Sequence, residues 1–253
     1  MLAEERRKKI LEELEKVSII KALTLAEKYD VGIETIRRDF DALEKKGILK
    51  KIYGGATLVA KDEIKNLDYN TRAASEIPEK IEIAKKAVNF ISENDTIFLN
   101  DSSTNVYLAK EIKNKIKNIT VVTNSLTIAH ELSDMLNYNI VLAGGFLDTR
   151  EKAFFGTISE KIISQVNVNK AILSVSNIAL NEGVTDFPLK EVEIQKAMIK
   201  YSKEVIILAN SQKFETSSLI KVTDLENIKA IITDSKINKK IQDEYKKIGI
   251  VIY

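Results

Sequence analysis

Seven short apolar runs, each rich in β-branched residues, alternate with segments of helical period through the last two-thirds of the chain. No other feature limits the fold as strongly. The runs fall at 96–99, 120–122, 140–142, 171–175, 205–209, 230–232 and 248–252, and between them lie helix-period segments at 80–91, 106–116, 126–136, 191–201 and 236–245. Strands that alternate with helices build a mostly parallel sheet covered on both faces. In such sheets ligands sit at the carboxyl ends of the strands, so the residues just after each run are the candidate site.

Four of those ends are rich in small or polar residues. Asn100-Asp101-Ser102-Ser103-Thr104-Asn105 offers hydroxyls and backbone N–H groups ahead of a helix, and the positive end of a helix dipole favours a phosphate. Thr123-Asn124-Ser125 ends the second run. Gly144-Gly145 ends the third, where absent side chains let a ligand approach the backbone. Asn181 to Asp186 precedes a helix carrying Glu191, Glu193 and Lys196, and Lys213 follows the next run at Asn210-Ser211-Gln212. Any one of these motifs serves as a turn or a helix cap in ordinary proteins. Their recurrence at successive strand ends points to a ligand site, with the loop at Asn100–Asn105 as its best phosphate cradle.

The N-terminal part follows another pattern. With successive residues about 100° apart around a helix, Ile33, Ile36, Phe40 and Leu43 fall in one apolar arc. Glu34, Arg38 and Lys45 lie opposite, with Thr35 and Arg37 on the shoulders. Arginine forks suit guanine edges and phosphate oxygens. A shorter amphipathic segment at 22–30 joins this helix through Val31-Gly32, which predicts a helix-turn-helix. Downstream, β-prone residues flank Gly54-Gly55 as in a short hairpin, where Lys50, Lys51 and Tyr53 are placed to meet the nucleic-acid backbone.

A chain of 253 residues with 44% hydrophobic content is too long for a winged helix alone and requires a second core. The expected domains are a winged helix-turn-helix over 1–59, a polar linker over 60–77 ending near Pro78, and an α/β domain over 78–253. Residues 1–61 hold 14 Lys+Arg against 11 Asp+Glu, and the remainder 25 against 26, a slight basic excess on the DNA-facing side. With no cysteine, disulfide and thiolate chemistry are excluded. The single histidine, His130, excludes a multi-histidine metal site and is read as structural. No leader or long apolar run is evident, so a cytoplasmic protein is expected.

The N-terminal motif resembles the DeoR family of bacterial transcriptional regulators. The residues that match its recognition helix and wing are Val31, Thr35, Ile36, Arg37, Arg38, Asp39, Leu43, Glu44, Gly47, Gly54, Gly55 and Ala56. Gly32 stands where that family usually has Ser, and Phe40 where it has Leu. The resemblance continues to about Asp234 through Asn100–Thr104, Thr123-Asn124, Gly144-Gly145, Gly183-Val184-Thr185-Asp186 and Ala209-Asn210-Ser211-Gln212-Lys213-Phe214. It implies a Rossmann-like α/β domain similar to the ribose-phosphate isomerase fold, which senses a phosphorylated sugar without catalysing a reaction. It also implies that operator DNA is bound by Glu34, Thr35, Arg37, Arg38, Lys45, Lys50, Lys51 and Tyr53. The effector site it implies comprises Asn100, Asp101, Ser102, Ser103, Thr104, Thr123, Asn124, Gly144, Gly145, Asp186, Glu191 and Lys213. Within that site Asn100 and Asn210 replace family aspartates and Gln195 replaces a usual lysine, so three charges are gone while hydrogen-bonding capacity remains.

The function expected from all of this is a DNA-binding regulator, a repressor of carbohydrate genes whose operator affinity answers to a sugar phosphate. Two half-sites call for at least a dimer. No cofactor, metal ligand or catalytic residue is assigned. The competing expectation is a sugar-phosphate isomerase with a DNA-binding appendage, using Asp186 or Glu191 as base. A third treats the winged helix as a protein-docking module.

Overall fold

The computed structural model describes residues 3–14, 19–45, 49–52, 54–58 and 69–253. They divide into two compact units, Met1–Thr71 and Arg72–Tyr253.

The first unit holds helices α1 (Ala3–Leu14), α2 (Ala22–Tyr29) and α3 (Ile33–Lys45). Its antiparallel sheet comprises β1 (Ile19–Lys21), β2 (Leu49–Ile52) and β3 (Gly55–Leu58), in the order β1-β3-β2. Helix α2 stops at Asp30, whose left-handed backbone (φ 51°) returns its N–H to the last turn. The Gly32 carbonyl then accepts the first bonds of α3, from Thr35 N at 2.9 Å and Ile36 N at 3.4 Å. Of the expected apolar arc, Ile36, Phe40 and Leu43 are buried against Ile10, Leu14, Leu25 and Leu49, and Ile33 packs at the edge of that core. The expected hairpin is present as β2 and β3. Strand β1, which was not expected, explains one of its glycines: a Cβ on Gly55 would stand 2.2 Å from the Ile20 carbonyl oxygen. Tyr53 lies outside the described residues.

The second unit is built on a six-stranded sheet, all parallel, in the order β14-β12-β9-β4-β5-β6. The strands are β4 (Thr96–Leu99), β5 (Ile119–Thr123), β6 (Tyr138–Leu142), β9 (Val168–Ser174), β12 (Ser202–Leu208) and β14 (Ala230–Ile232). Numbered among themselves they run 3-2-1-4-5-6, so the chain reverses direction across the sheet between β4 and β9. Helices α5 (Ile77–Ala87), α6 (Ser103–Lys115), α7 (Leu126–Leu132), α8 (Thr157–Ile163), α9 (Leu189–Lys200) and α10 (Lys239–Lys247) complete the unit. Phe98, Val122, Ala171, Leu173, Ile194, Met198 and Ile207 are among the residues of its core.

Six of the seven apolar runs are strands of this sheet. The seventh, 248–252, follows a left-handed Gly249 and joins the sheet by an isolated parallel bridge, Ile231 to Ile252. Short pieces without alternating pattern were not expected. These are the hairpin of β7 (Phe146–Asp148) and β8 (Ala153–Phe155), and a small antiparallel sheet of β10 (Asn177–Ala179), β11 (Gly183–Asp186) and β13 (Ile220–Thr223). Helix α4 (Tyr69–Ala74) and the start of α5 fall inside the stretch 60–77 expected to be linker. His130 sits on the exposed side of α7. No helix among the described residues is long and apolar enough to cross a membrane.

Candidate functional site

Two regions carry functional side chains. The first is the outer face of α3. Glu34, Arg37 and Arg38 are exposed and Thr35 is half-buried, while the opposite face is core. Glu34 and Arg37, one turn apart, form an ion pair at 2.5 Å. Such a solvated pair contributes little to stability and opens readily for a stronger partner. Asp39, between these arginines and the core, points inward. It is buried and accepts from Arg6 Nε at 2.5 Å and Arg7 Nε at 2.8 Å, which locks α1 onto α3. This motif aspartate therefore holds the recognition helix in place. Lys51 ion-pairs with Asp41 at 2.5 Å and Glu44 at 3.3 Å, so its ammonium is already shared with α3. The backbones of Lys45 and Lys50 lie at the end of α3 and in β2.

The second region lies at the carboxyl ends of β4, β5 and β9. After β4, Ser102 caps α6 by accepting from Asn105 N at 2.9 Å, and Ser103 and Thr104 form the first, buried turn. Asp101 beside them is buried and accepts from Asn124 Nδ2 at 3.0 Å, which joins the ends of β4 and β5. Asp186, at the end of β11, accepts from Phe187 N at 2.9 Å and Gln195 Nε2 at 3.0 Å. Lys213 donates to the Val175 carbonyl at 2.6 Å, just past β9. Glu191, in the first turn of α9, comes with Asp101 and Glu151 into one group whose carboxylate oxygens lie within 4.8 Å of one another.

Four other expected residues serve the scaffold. Asn100 spans the reversal between β4 and β9: its Nδ2 donates to Ser174 O and its Oδ1 accepts from Ser174 N, both at 2.9 Å. The side chain thus extends the sheet like one more peptide unit, which an ionised aspartate could not do because it has no donor. Thr123 is fully buried, and its hydroxyl accepts from Ser125 N at 3.1 Å. Gly144 O accepts from Ser159 Oγ at 2.9 Å, and a Cβ on Gly145 would come 2.6 Å from that same hydroxyl oxygen. Close packing of the β7–β8 hairpin and α8 accounts for Gly145, whereas a Cβ on Gly144 would meet nothing within 4 Å.

Sequence reasoning missed four charged residues that the fold brings to the cluster. Arg72 in α4 pairs with Glu151 at 2.5 Å. Glu76 accepts from Asn210 Nδ2 and holds a left-handed backbone (φ 50°), an unfavourable conformation for a non-glycine residue. Lys80 is buried and donates to the Arg72 and Ser75 carbonyls, tying down the turn that precedes α5. None of these residues sits in a repeat or a strand end. Pro78 marked only the start of a helix.

The electrostatics follow from burial. Desolvation pushes the Asp101 carboxyl up to about 6, against the Asn124 hydrogen bond and the Arg72 charge. Glu191 is raised well above the usual carboxylate range by burial and then by repulsion from Asp101 and Asp186. Burial lowers Lys213 below the usual lysine value, opposed by the Asp186 and Glu76 charges. Burial also lowers Lys80, to about 8. Several buried amide oxygens here accept no hydrogen bond, among them those of Asn124, Gln195 and Asn210. A buried and half-buried cluster of carboxyls, cations and orphaned amides has the chemistry to hold a polar ligand.

Comparison with known proteins agrees with both regions. The family described as the DeoR-like helix-turn-helix domain matches residues 6–62, and the DeoR C terminal sensor domain matches residues 75–235. The chain is 35% identical to the HTH-type transcriptional regulator GolR of Listeria innocua, over 98% of this chain and 97% of that protein. It is 28% identical to the Glycerol-3-phosphate regulon repressor of Escherichia coli, over 91% and 90%. Ribose 5-phosphate isomerase from Plasmodium falciparum aligns with 54% of this chain and 52% of its own, at 19% identity and a TM-score of 0.40. With both family domains matched in order and the recognition helix and sensor fold in place, this chain belongs to the DeoR family of helix-turn-helix transcriptional regulators.

Proposed function

We propose that the cluster at the carboxyl ends of β4, β5 and β9 binds a phosphorylated sugar, and that this ligand sets the affinity of α3 for operator DNA. The observation that carries the reading is the joining of Ser102–Thr104, at the start of α6, with Asp101, Asn124, Asp186 and Lys213 at one topological switch point. The first turn of α6 offers N–H groups and hydroxyls to a phosphate. The carboxylates and amides are matched to sugar hydroxyls, which both donate and accept. The name of one relative, a repressor of the glycerol-3-phosphate regulon, also concerns a phosphorylated polyol.

Base recognition is assigned to Glu34, Thr35 and Arg38, with Arg37 next to them. Lys45, Lys50, Lys51 and Tyr53 are assigned to the phosphate backbone. Two recognition helices are needed for a two-fold operator, so the working unit is at least a dimer. The domain acts as a sensor and not as an isomerase: Asp186 is tied to Phe187 N and Gln195, an arrangement that suits holding a ligand hydroxyl more than shuttling a proton.

A thermal-shift screen of phosphorylated sugars and their free counterparts tests the pocket. A ligand at about 100 times its Kd stabilises the unit that binds it by roughly 2.7 kcal/mol, which is several degrees. Stabilisation confined to a phosphorylated sugar, and lost in Lys213→Met, is the expected result. Silence across the screen contradicts the assignment.

A further inference from the structure

The cluster holds more acid than base. Asp101, Glu151, Asp186, Glu191 and Glu76 act on one another and on the cations Arg72, Lys80 and Lys213. Among the described residues the three cations fall two charges short of the five carboxyls when all are ionised, and burial answers by holding Asp101 and Glu191 toward their protonated forms, since uncompensated charge there is costly. A phosphate dianion entering the cluster would widen that deficit.

Three of the carboxyls converge. One oxygen each from Asp101, Glu151 and Glu191 lies within 4.8 Å of the others, a spacing that lets all three reach one cation at roughly 2.0–2.6 Å. Converging acids alone are common. A second observation comes from Asn124, which is fully buried. Its Nδ2 is turned onto Asp101 Oδ1 at 3.0 Å and Phe154 O at 3.1 Å, while the oxygen of the same amide has no hydrogen-bond partner. A buried amide oxygen without a donor is a rare defect in a folded protein unless something is bound to it. Carboxylate and amide oxygens, with no histidine or cysteine near, are the ligand set of hard divalent cations.

We infer that Asp101, Glu151, Glu191 and the Asn124 side-chain oxygen form a site for a divalent cation of the Mg2+ or Mn2+ class. The ion supplies the two charges the cluster lacks, and Glu151 divides its carboxylate between the ion and Arg72. That the ion then draws the phosphate of an effector into an acidic pocket rests on the reading of the pocket given above. Binding of the ion does not.

The test is titration of the full-length, EDTA-treated protein with Mn2+, counting free ion by electron paramagnetic resonance. The expected result is about one saturable ion per chain below roughly 1 mM. Asp101→Asn and Glu191→Gln, each of which removes a carboxyl without changing size, should weaken binding at least tenfold. Asp134→Asn, which alters an exposed ion pair with Lys113 on another part of the surface, should bind as the parent does. Absence of saturable binding by folded protein overturns the inference, as does binding that survives in both folded Asp101→Asn and Glu191→Gln. Thermal stabilisation by a sugar phosphate that is equal in EDTA and in Mn2+ removes the ion and keeps the effector pocket. Mn2+ binding with no response to any sugar phosphate keeps the ion and removes the pocket assignment.

Discussion

The recognition helix and the sensor cluster solve opposite problems. In α3 the functional groups are exposed, contiguous in sequence and supported by a core on the far side of the same helix. In the sensor unit they are buried, come from at least five segments, and support one another through side-chain hydrogen bonds. An exposed side chain on α3 can be removed with little effect on folding, whereas a side chain proposed to meet the ligand in the cluster also supports its neighbours. Both regions hold residues that break the pattern: Asp39 is buried beneath exposed arginines, and Asn100 is a structural clamp among the residues assigned to the ligand.

The sharpest way to break this comparison is Asp39→Ala. It removes the buried carboxylate shared by Arg6 and Arg7, and losing one partner of a buried pair costs about 3–5 kcal/mol. Urea unfolding followed by circular dichroism reads the loss directly. A change below about 1 kcal/mol would mean that Asp39 does not anchor the helix. Next comes Asn100→Asp, which restores the residue usual in the family. If the clamp on Ser174 is what Asn100 provides, the aspartate leaves the Ser174 carbonyl without its donor and costs about 1–3 kcal/mol in the same measurement. A neutral or stabilising result would return Asn100 to the ligand.

Arg38→Ala should do the reverse. Unfolding should stay within about 0.5 kcal/mol of the parent, while discrimination between operator and random DNA drops by roughly 1–3 kcal/mol. Equal losses on both DNAs would move Arg38 from the bases to the phosphates. The remaining test is the pH dependence carried by Lys80. Burial lowers its folded value to about 8, against 10.5 for an ordinary lysine. Between those values the unfolded chain binds more protons than the folded one, so this contribution to stability rises as pH increases from 8 to 10.5. Subtracting the curve for Lys80→Met from that of the parent should show the rise. A flat difference would mean that the ammonium is not desolvated.

The same contrast decides what could be read in the sequence. The helix-turn-helix was legible because the residues that define it are neighbours: period 3.6 marks the core arc and, opposite it, the exposed Glu34, Arg37 and Arg38. The parallel sheet was legible from its alternating runs, and loops such as Asn100–Thr104 from their position after a strand. Arg72, Glu76, Lys80 and Glu151 were not, because they reach the cluster only through tertiary packing of α4, α5 and the β7–β8 region. Gly145 and Asn100 matched a motif, yet the partners that explain them, Ser159 and Ser174, are 14 and 74 residues away and carry no local signal.

The central claim is that occupancy of the cluster changes the grip of α3 on DNA. The direct measurement is fluorescence anisotropy of an operator selected by the full-length protein from random DNA, titrated with phosphorylated sugars and their free counterparts. One phosphorylated sugar should shift operator affinity by about fivefold or more, and Asp186→Ala and Lys213→Met should keep the DNA affinity while losing the shift. If no sugar phosphate moves the affinity, or if the shift persists in both variants, the cluster is not the sensor.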